Sequence, residues 1–156
     1  MNGGIATFLV VLLACGLAAA AVFDWRSRTI PNWLNAGFAL AAIPFWWASG
    51  LSLWPGVALH VGVALAVFAA FAIAFQLGMM GGGDVKMLAA VALWLPPLAV
   101  LQLLVIMSLS GGVLTAAMLI GHKLRKAAGQ PEIPYGMAIA FAGMWLISER
   151  FLNQFV

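Results

Sequence analysis

Residues Met79–Leu88 read MMGGGDVKML, and they close a run from Thr29 to Gly83 in which no residue carries a formal charge. An aspartate and a lysine directly after three glycines stand out in a chain of 156 residues that is 65% hydrophobic and 7% charged, with a mean hydropathy of +1.11. Water-soluble domains do not have that balance. Further uncharged runs cover Met1–Phe23, Met87–His122 and Ile133–Ser148. A membrane-crossing helix takes about 20 mostly apolar residues, so the four runs together hold about six spans. Pro and Gly divide the second run near Ala48–Pro55 and the third near Leu95–Pro97.

The expected fold is therefore an all-α integral membrane protein, forming a single membrane-embedded domain over residues 1–156. Its expected spans are Ile5–Phe23, Ile30–Trp47, Gly56–Phe75, Val85–Leu95, Leu98–Gly121 and Tyr135–Phe151. They must be helices, because hydrocarbon offers no water to satisfy an open backbone. Val85–Leu95 is the exception in length: about 11 residues at about 1.5 Å each cannot cross a core of about 30 Å. Either it continues through Pro96-Pro97, or its glycine-rich start is a re-entrant or interfacial loop before the fourth helix. The second arrangement is the one expected.

Seven basic residues against four acidic ones give a net charge of +3, and their placement reports topology rather than nucleic-acid binding. Arg26 and Arg28 lie between spans one and two, Lys86 between three and four, and Lys123, Arg125 and Lys126 between five and six. Positive residues collect in cytoplasmic loops. These three loops are thus expected on the cytoplasmic side, with both termini opposite; Arg150, beside Glu149, runs against the pattern. No basic segment precedes the first apolar run, so a cleaved signal peptide is not expected. The lone cysteine, Cys15, excludes an internal disulfide and a multi-cysteine zinc site.

The acidic residues are Asp24, Asp84, Glu132 and Glu149. Asp24 ends the first span in VFDWRSRTIPNWLN, and Asp84 opens the fourth in GGGDVKMLAA, so both are expected at the cytoplasmic boundary. Taken singly, Asp84 reads as a helix N-cap and Asp24 as an ion-pair partner of Arg26 or Arg28. Neither reading explains Gly81, Gly82 and Gly83, since glycine permits positive φ and close approach of another backbone. Two carboxylates brought together cannot both ionise at short range, so they share a proton. The ionised one can deprotonate water while the protonated one polarises a scissile carbonyl. That chemistry belongs to aspartic proteases and needs no metal or other cofactor.

Three segments carry a resemblance to a known family. GGGDVK is similar to the GxGD signature of membrane aspartic proteases, with Gly81 or Gly82 and Gly83 in the glycine positions. DWRSRTIPNWLN resembles the first-aspartate segment of the type IV prepilin peptidases, and IPYGMAIAFAG (Ile133–Gly143) their closing segment. In length the chain looks most like the branch associated with Flp (tight-adherence) pili. The resemblance implies an inner-membrane endopeptidase that removes the basic leader from prepilins at the cytoplasmic face, with Asp24 and Asp84 as the catalytic pair. Its partners would be the prepilin, as leader plus N-terminal hydrophobic helix, and the lipid bilayer. Longer members also methylate the new N-terminus and carry a cysteine-rich insert that this chain lacks.

Other residues are weaker candidates. Lys86 and Arg26 each follow an aspartate by two positions and could steady its charge, although positive loops account for both. Pro31 suits the first turn of a helix, and Asn32 could bond loop or substrate backbone. Gly136, after Pro134-Tyr135, would let the sixth span approach the catalytic loop. His60 and His122 fall at opposite ends of their spans and form no metal pair, while Trp33, Trp46, Trp47 and Trp54 read as interfacial anchors. The rival readings are a GxGD-type protease for another membrane-anchored substrate, a small transporter or channel, and a silent pilus-assembly factor. A transporter would favour midplane carboxylates and an internal repeat, and neither is visible.

Overall fold

The computed structural model describes residues 3–124 and 133–152, the last two by backbone alone. Arg125, Lys126 and Glu132 lie outside the described residues. The elements are α1 (Gly3–Ser27), α2 (Asn32–Ala48), α3 (Ala58–Gln76), α4 (Gly82–Ala92), α5 (Pro97–Leu124) and α6 (Tyr135–Leu152), with a short π-helical segment Leu53–Val57 leading into α3. No strand occurs among the described residues.

The helix ends follow from local chemistry. Gly50 (φ 68°) and Gly78 (φ 71°) occupy the left-handed region just after α2 and α3. Around Gly78 the Gly78 N–H bonds the Phe75 carbonyl and the Met79 N–H bonds the Ala74 carbonyl, the double closure that glycine makes cheap. Arg28 also takes the left-handed conformation at the end of α1 without being glycine: its φ is 53°, and a single bond, from its N–H to the Asp24 carbonyl at 3.0 Å, closes the helix. α4 stops at Ala92 in a tight turn, where Trp94 N–H bonds Val91 O, and α5 starts at Pro97, where the missing N–H costs nothing. The chain therefore does not run on as one helix through Pro96-Pro97.

Three helices, Gly3–Ser27, Leu53–Gln76 and Pro97–Leu124, are long and apolar enough to cross a membrane. Large apolar side chains such as Phe8, Leu40, Leu98 and Val113 stand exposed on the outside, a surface that lipid solvates and water does not. The protein is an all-helical membrane protein. Between its helices lie small residues, among them Ala20, Ala42, Ala64, Ala92, Ala99 and Ala140, all buried. In lipid no hydrophobic force draws helices together, so close backbone approach over small residues supplies the packing.

α4 sits inside the arrangement, packed on α2, α3 and α6. Around it α1 packs on α2 and α6, α5 packs on α6, and α3 meets α5. α2 and α3 each pack on α4 rather than on each other. Seven of the residues of this short helix are buried: Asp84, Val85, Met87, Leu88, Ala90, Val91 and Ala92. Side-chain bonds fix α4 to α2 along its length, with Asn35 Nδ2 on Gly83 O (3.2 Å), Trp94 Nε1 on Phe38 O (2.9 Å) and Trp46 Nε1 on Leu93 O (2.8 Å). Trp46 is thus turned into the bundle rather than out to the interface, while Trp33, Trp47 and Trp54 are exposed.

Candidate active site

Asp24 lies one turn before the end of α1 and Asp84 in the first turn of α4, and both are more than nine-tenths buried. The packing brings their carboxylates within electrostatic reach of one another. α6 supplies the third side. Its first N–H groups have no intrahelical partner, and the Gly136 amide lies against both carboxylates while the Met137 N–H donates to Asp24 Oδ2 at 3.1 Å. Asp24 therefore caps α6 from another helix, with the negative group at the positive end of the dipole. Arg28 stands within electrostatic reach of Asp24, its guanidinium 5.6 Å from the Trp25 ring centroid and its Nη1 buried without a hydrogen-bond partner.

Glycine at position 136 is a steric requirement. A Cβ there would lie 2.8 Å from Asp24 Oδ2 and 2.7 Å from Ile30 Cδ1, closer than real contacts allow. Pro134, fully buried, precedes it and starts the helix, its carbonyl accepting the Met137 N–H. The start of α6 thus stands against Asp24 and Ile30, whereas the sequence suggests an approach to the glycine loop.

The glycine triplet works differently from the sequence expectation. Gly81 is the N-cap of α4, in extended conformation (φ −73°, ψ 143°), and Gly82 and Gly83 form the helix's first turn. None of the three has a positive φ; that role falls to Gly78. What they provide is close approach. A Cβ would meet Asp84 Oδ2 at 3.0 Å from Gly81, the Phe75 ring at 3.2 Å from Gly82, and the side chain and backbone of Ile30 at 3.4–3.5 Å from Gly83.

The remaining candidates fall in two places. Pro31 is the N-cap of α2 rather than a residue of its first turn, and its carbonyl accepts the Leu34 and Asn35 N–H groups. Asn32 Oδ1 accepts a hydrogen bond from Lys86 Nζ at 2.9 Å, so Lys86 is engaged by α2 rather than directed at Asp84. His60 bonds the Gly56 carbonyl of the π-helical segment that leads into α3, 3.0 Å from Nδ1. Sequence reasoning missed Asn35, which holds the carbonyl of the residue before Asp84, and Ile30, which fills the space between Gly83 and Gly136. Asn35 could have been found: an amide in an apolar span, three positions from Asn32, needs a partner in the bundle.

This arrangement, two buried carboxylates beside the helix-terminal amides of α6, can hold a proton and polarise a bound peptide group. Neither the curated proteins nor the solved structures yield a match to this chain. A family model does match, over residues 11–116, a stretch that carries both aspartates and the whole of α4, and by that match the chain is a membrane peptidase belonging to the type IV leader peptidase family.

Proposed function

We propose that the protein is an aspartic-type endopeptidase that removes the leader from a membrane-anchored prepilin of the Flp type, at the cytoplasmic face of the bacterial inner membrane. The observation that carries this reading is the meeting of Asp24 and Asp84 at the amide end of α6. With one proton between them, the ionised carboxylate takes a proton from water as the water oxygen attacks the scissile carbonyl. The protonated carboxylate donates its hydrogen bond to that carbonyl oxygen, and on collapse of the tetrahedral adduct a proton passes to the leaving amine. The chemistry needs no metal.

The cytoplasmic assignment follows from charge: Arg26, Arg28 and Lys86 cluster at the ends of helices that also hold the aspartates. We read α2 and α6, of 17 and 18 residues, as further spans, and α4, of 11 residues, with the turn after it, as carrying the chain from the cytoplasmic end of α2 to its other end, where Trp46 Nε1 bonds Leu93 O. The chain then passes six times between the two sides, which leaves Lys123 with Arg26 and Lys86 on the cytoplasmic side, and the glycines open α4 in place of the expected re-entrant loop. Co-expression with a Flp-type prepilin tests the function. Leader loss on a gel is expected with the native enzyme and not with Asp24→Asn; an unprocessed prepilin in both cases would overturn it.

A further inference from the structure

Between α2 and α3, with α4 as its floor, lies an open groove of about 430 Å³. It lies where α2 and α3, each packed on α4, make no extensive contact with each other. Ala36 and Ala39 of α2, Ala64 of α3, and Ala89 and Ala90 of α4 line it, small residues that let another backbone approach closely. Two polar side chains sit among them, Asn35 and Lys86.

Asn35 is 5% exposed, and its amide is half used: Nδ2 bonds Gly83 O, while Oδ1 is buried with no partner. A buried acceptor without a donor is costly. A lipid acyl chain has no donor to offer it. A peptide does. Lys86, beside it, presents a cation whose partner in the structure is Asn32, and it is exposed to a second acceptor from an occupant.

We propose that this groove docks the apolar membrane segment of the enzyme's substrate, an inference that rests on the peptidase reading above. On α4 the groove is lined by Lys86, Ala89, Ala90 and Leu93, whereas Asp84 faces α1 and α6 on the other side. A chain seated in the groove must therefore cross the N-terminus of α4 to reach the aspartates. The helix is about 10 Å across, and extended residues advance about 3.3 Å each, so about three residues after the cut leave the helical form. Their freed N–H and C=O groups are what Asn35 Oδ1 and Lys86 Nζ can bond.

The test compares two substrates in proteoliposomes: a full membrane-anchored prepilin, and a short peptide with the leader and cut site but no apolar segment. Ala36→Leu and Ala89→Leu fill the groove from positions that are not fully buried. Docking requires the KM for the anchored substrate to rise about tenfold or more, while kcat/KM for the short peptide stays within about twofold. A photo-cross-linker at position 36 is expected to capture the anchored prepilin through its apolar segment. Unchanged KM for both substrates, with lipid as the cross-linked species, would overturn the proposal, as would capture of a second copy of the enzyme. An equal fall for both substrates would also overturn it, since the substitutions would then act through the aspartates. Failure of the native enzyme to cleave either substrate would instead refute the peptidase reading beneath it.

Discussion

The Asp24 carboxylate accepts the Met137 backbone N–H at 3.1 Å, a contact between groups 113 positions apart in the chain. It joins the end of the first helix to the start of the last, and Asp84 enters between them from α4. One side chain thereby has a structural duty, capping α6, as well as a proposed chemical one. The two can be separated.

Asn is as good an N-cap as Asp, so Asp24→Asn should keep α6 in place while removing the ionisable group. We expect Asp24→Asn and Asp84→Asn each to insert and to melt in detergent near the native temperature. Each should lose about 100-fold or more in cleavage, the scale of general acid–base catalysis. Substantial processing by either folded variant would refute the proposed pair.

Gly136→Ala should be the most damaging of the single methyl additions near the site. Its Cβ would lie 2.8 Å from Asp24 Oδ2, so the carboxylate must shift, and misplacement by about 1 Å can cost about 100-fold in rate. Gly83→Ala is milder, because its Cβ meets Ile30 at 3.4 Å, an ordinary contact. Gly83→Val, with two further methyls against the Ile30 backbone, should lose activity well before stability. Kinetics beside thermal melts of the three variants give the ranking, and it fails if Gly136→Ala cleaves as well as Gly83→Ala.

Much of this was legible in the sequence for a physical reason: hydrocarbon imposes long uncharged runs, and a charge inside them needs a purpose. Asp24 and Asp84 stand out on that ground, and the helices fall close to where the uncharged runs place them. Glycine was harder to read. A glycine in sequence does not reveal whether it serves a positive φ or a close neighbour; in the structure Gly78 takes the first role and Gly81–Gly83 the second. Ile30 and Met137 carried no signal, because one acts by shape and the other through its backbone. Lys86 was ambiguous: its spacing from Asp84 suggested that carboxylate, whereas two residues along a helix point to nearly opposite faces, and α2 lies on its side.

Topology gives the third prediction. Single cysteines in place of Arg26, Lys86 and Lys123, on a Cys15→Ala background, should all react with a thiol reagent from the cytoplasmic side. An impermeant reagent added from the periplasm should label none of them. Labelling of any one from outside would invert or break the proposed arrangement, since the positive-inside bias is its main support.

The last prediction concerns Arg28, which closes α1 with φ 53°. An L-residue pays about 1–2 kcal/mol for the left-handed conformation, and glycine at the same position pays almost none. Arg28→Gly and Arg28→Ala both remove the stacking of the guanidinium on Trp25 and the cation near Asp24. The two variants therefore differ mainly in backbone strain, and the comparison cancels the electrostatic and stacking losses. Arg28→Gly should be the more stable by about 1 kcal/mol, read from denaturant or thermal unfolding in detergent micelles. If Arg28→Ala proves equal or more stable, the left-handed turn is not held in the native state as described. If Arg28→Gly is the more stable of the two and yet cleaves poorly, arginine is retained at this strained position for its charge beside the aspartates rather than for the turn.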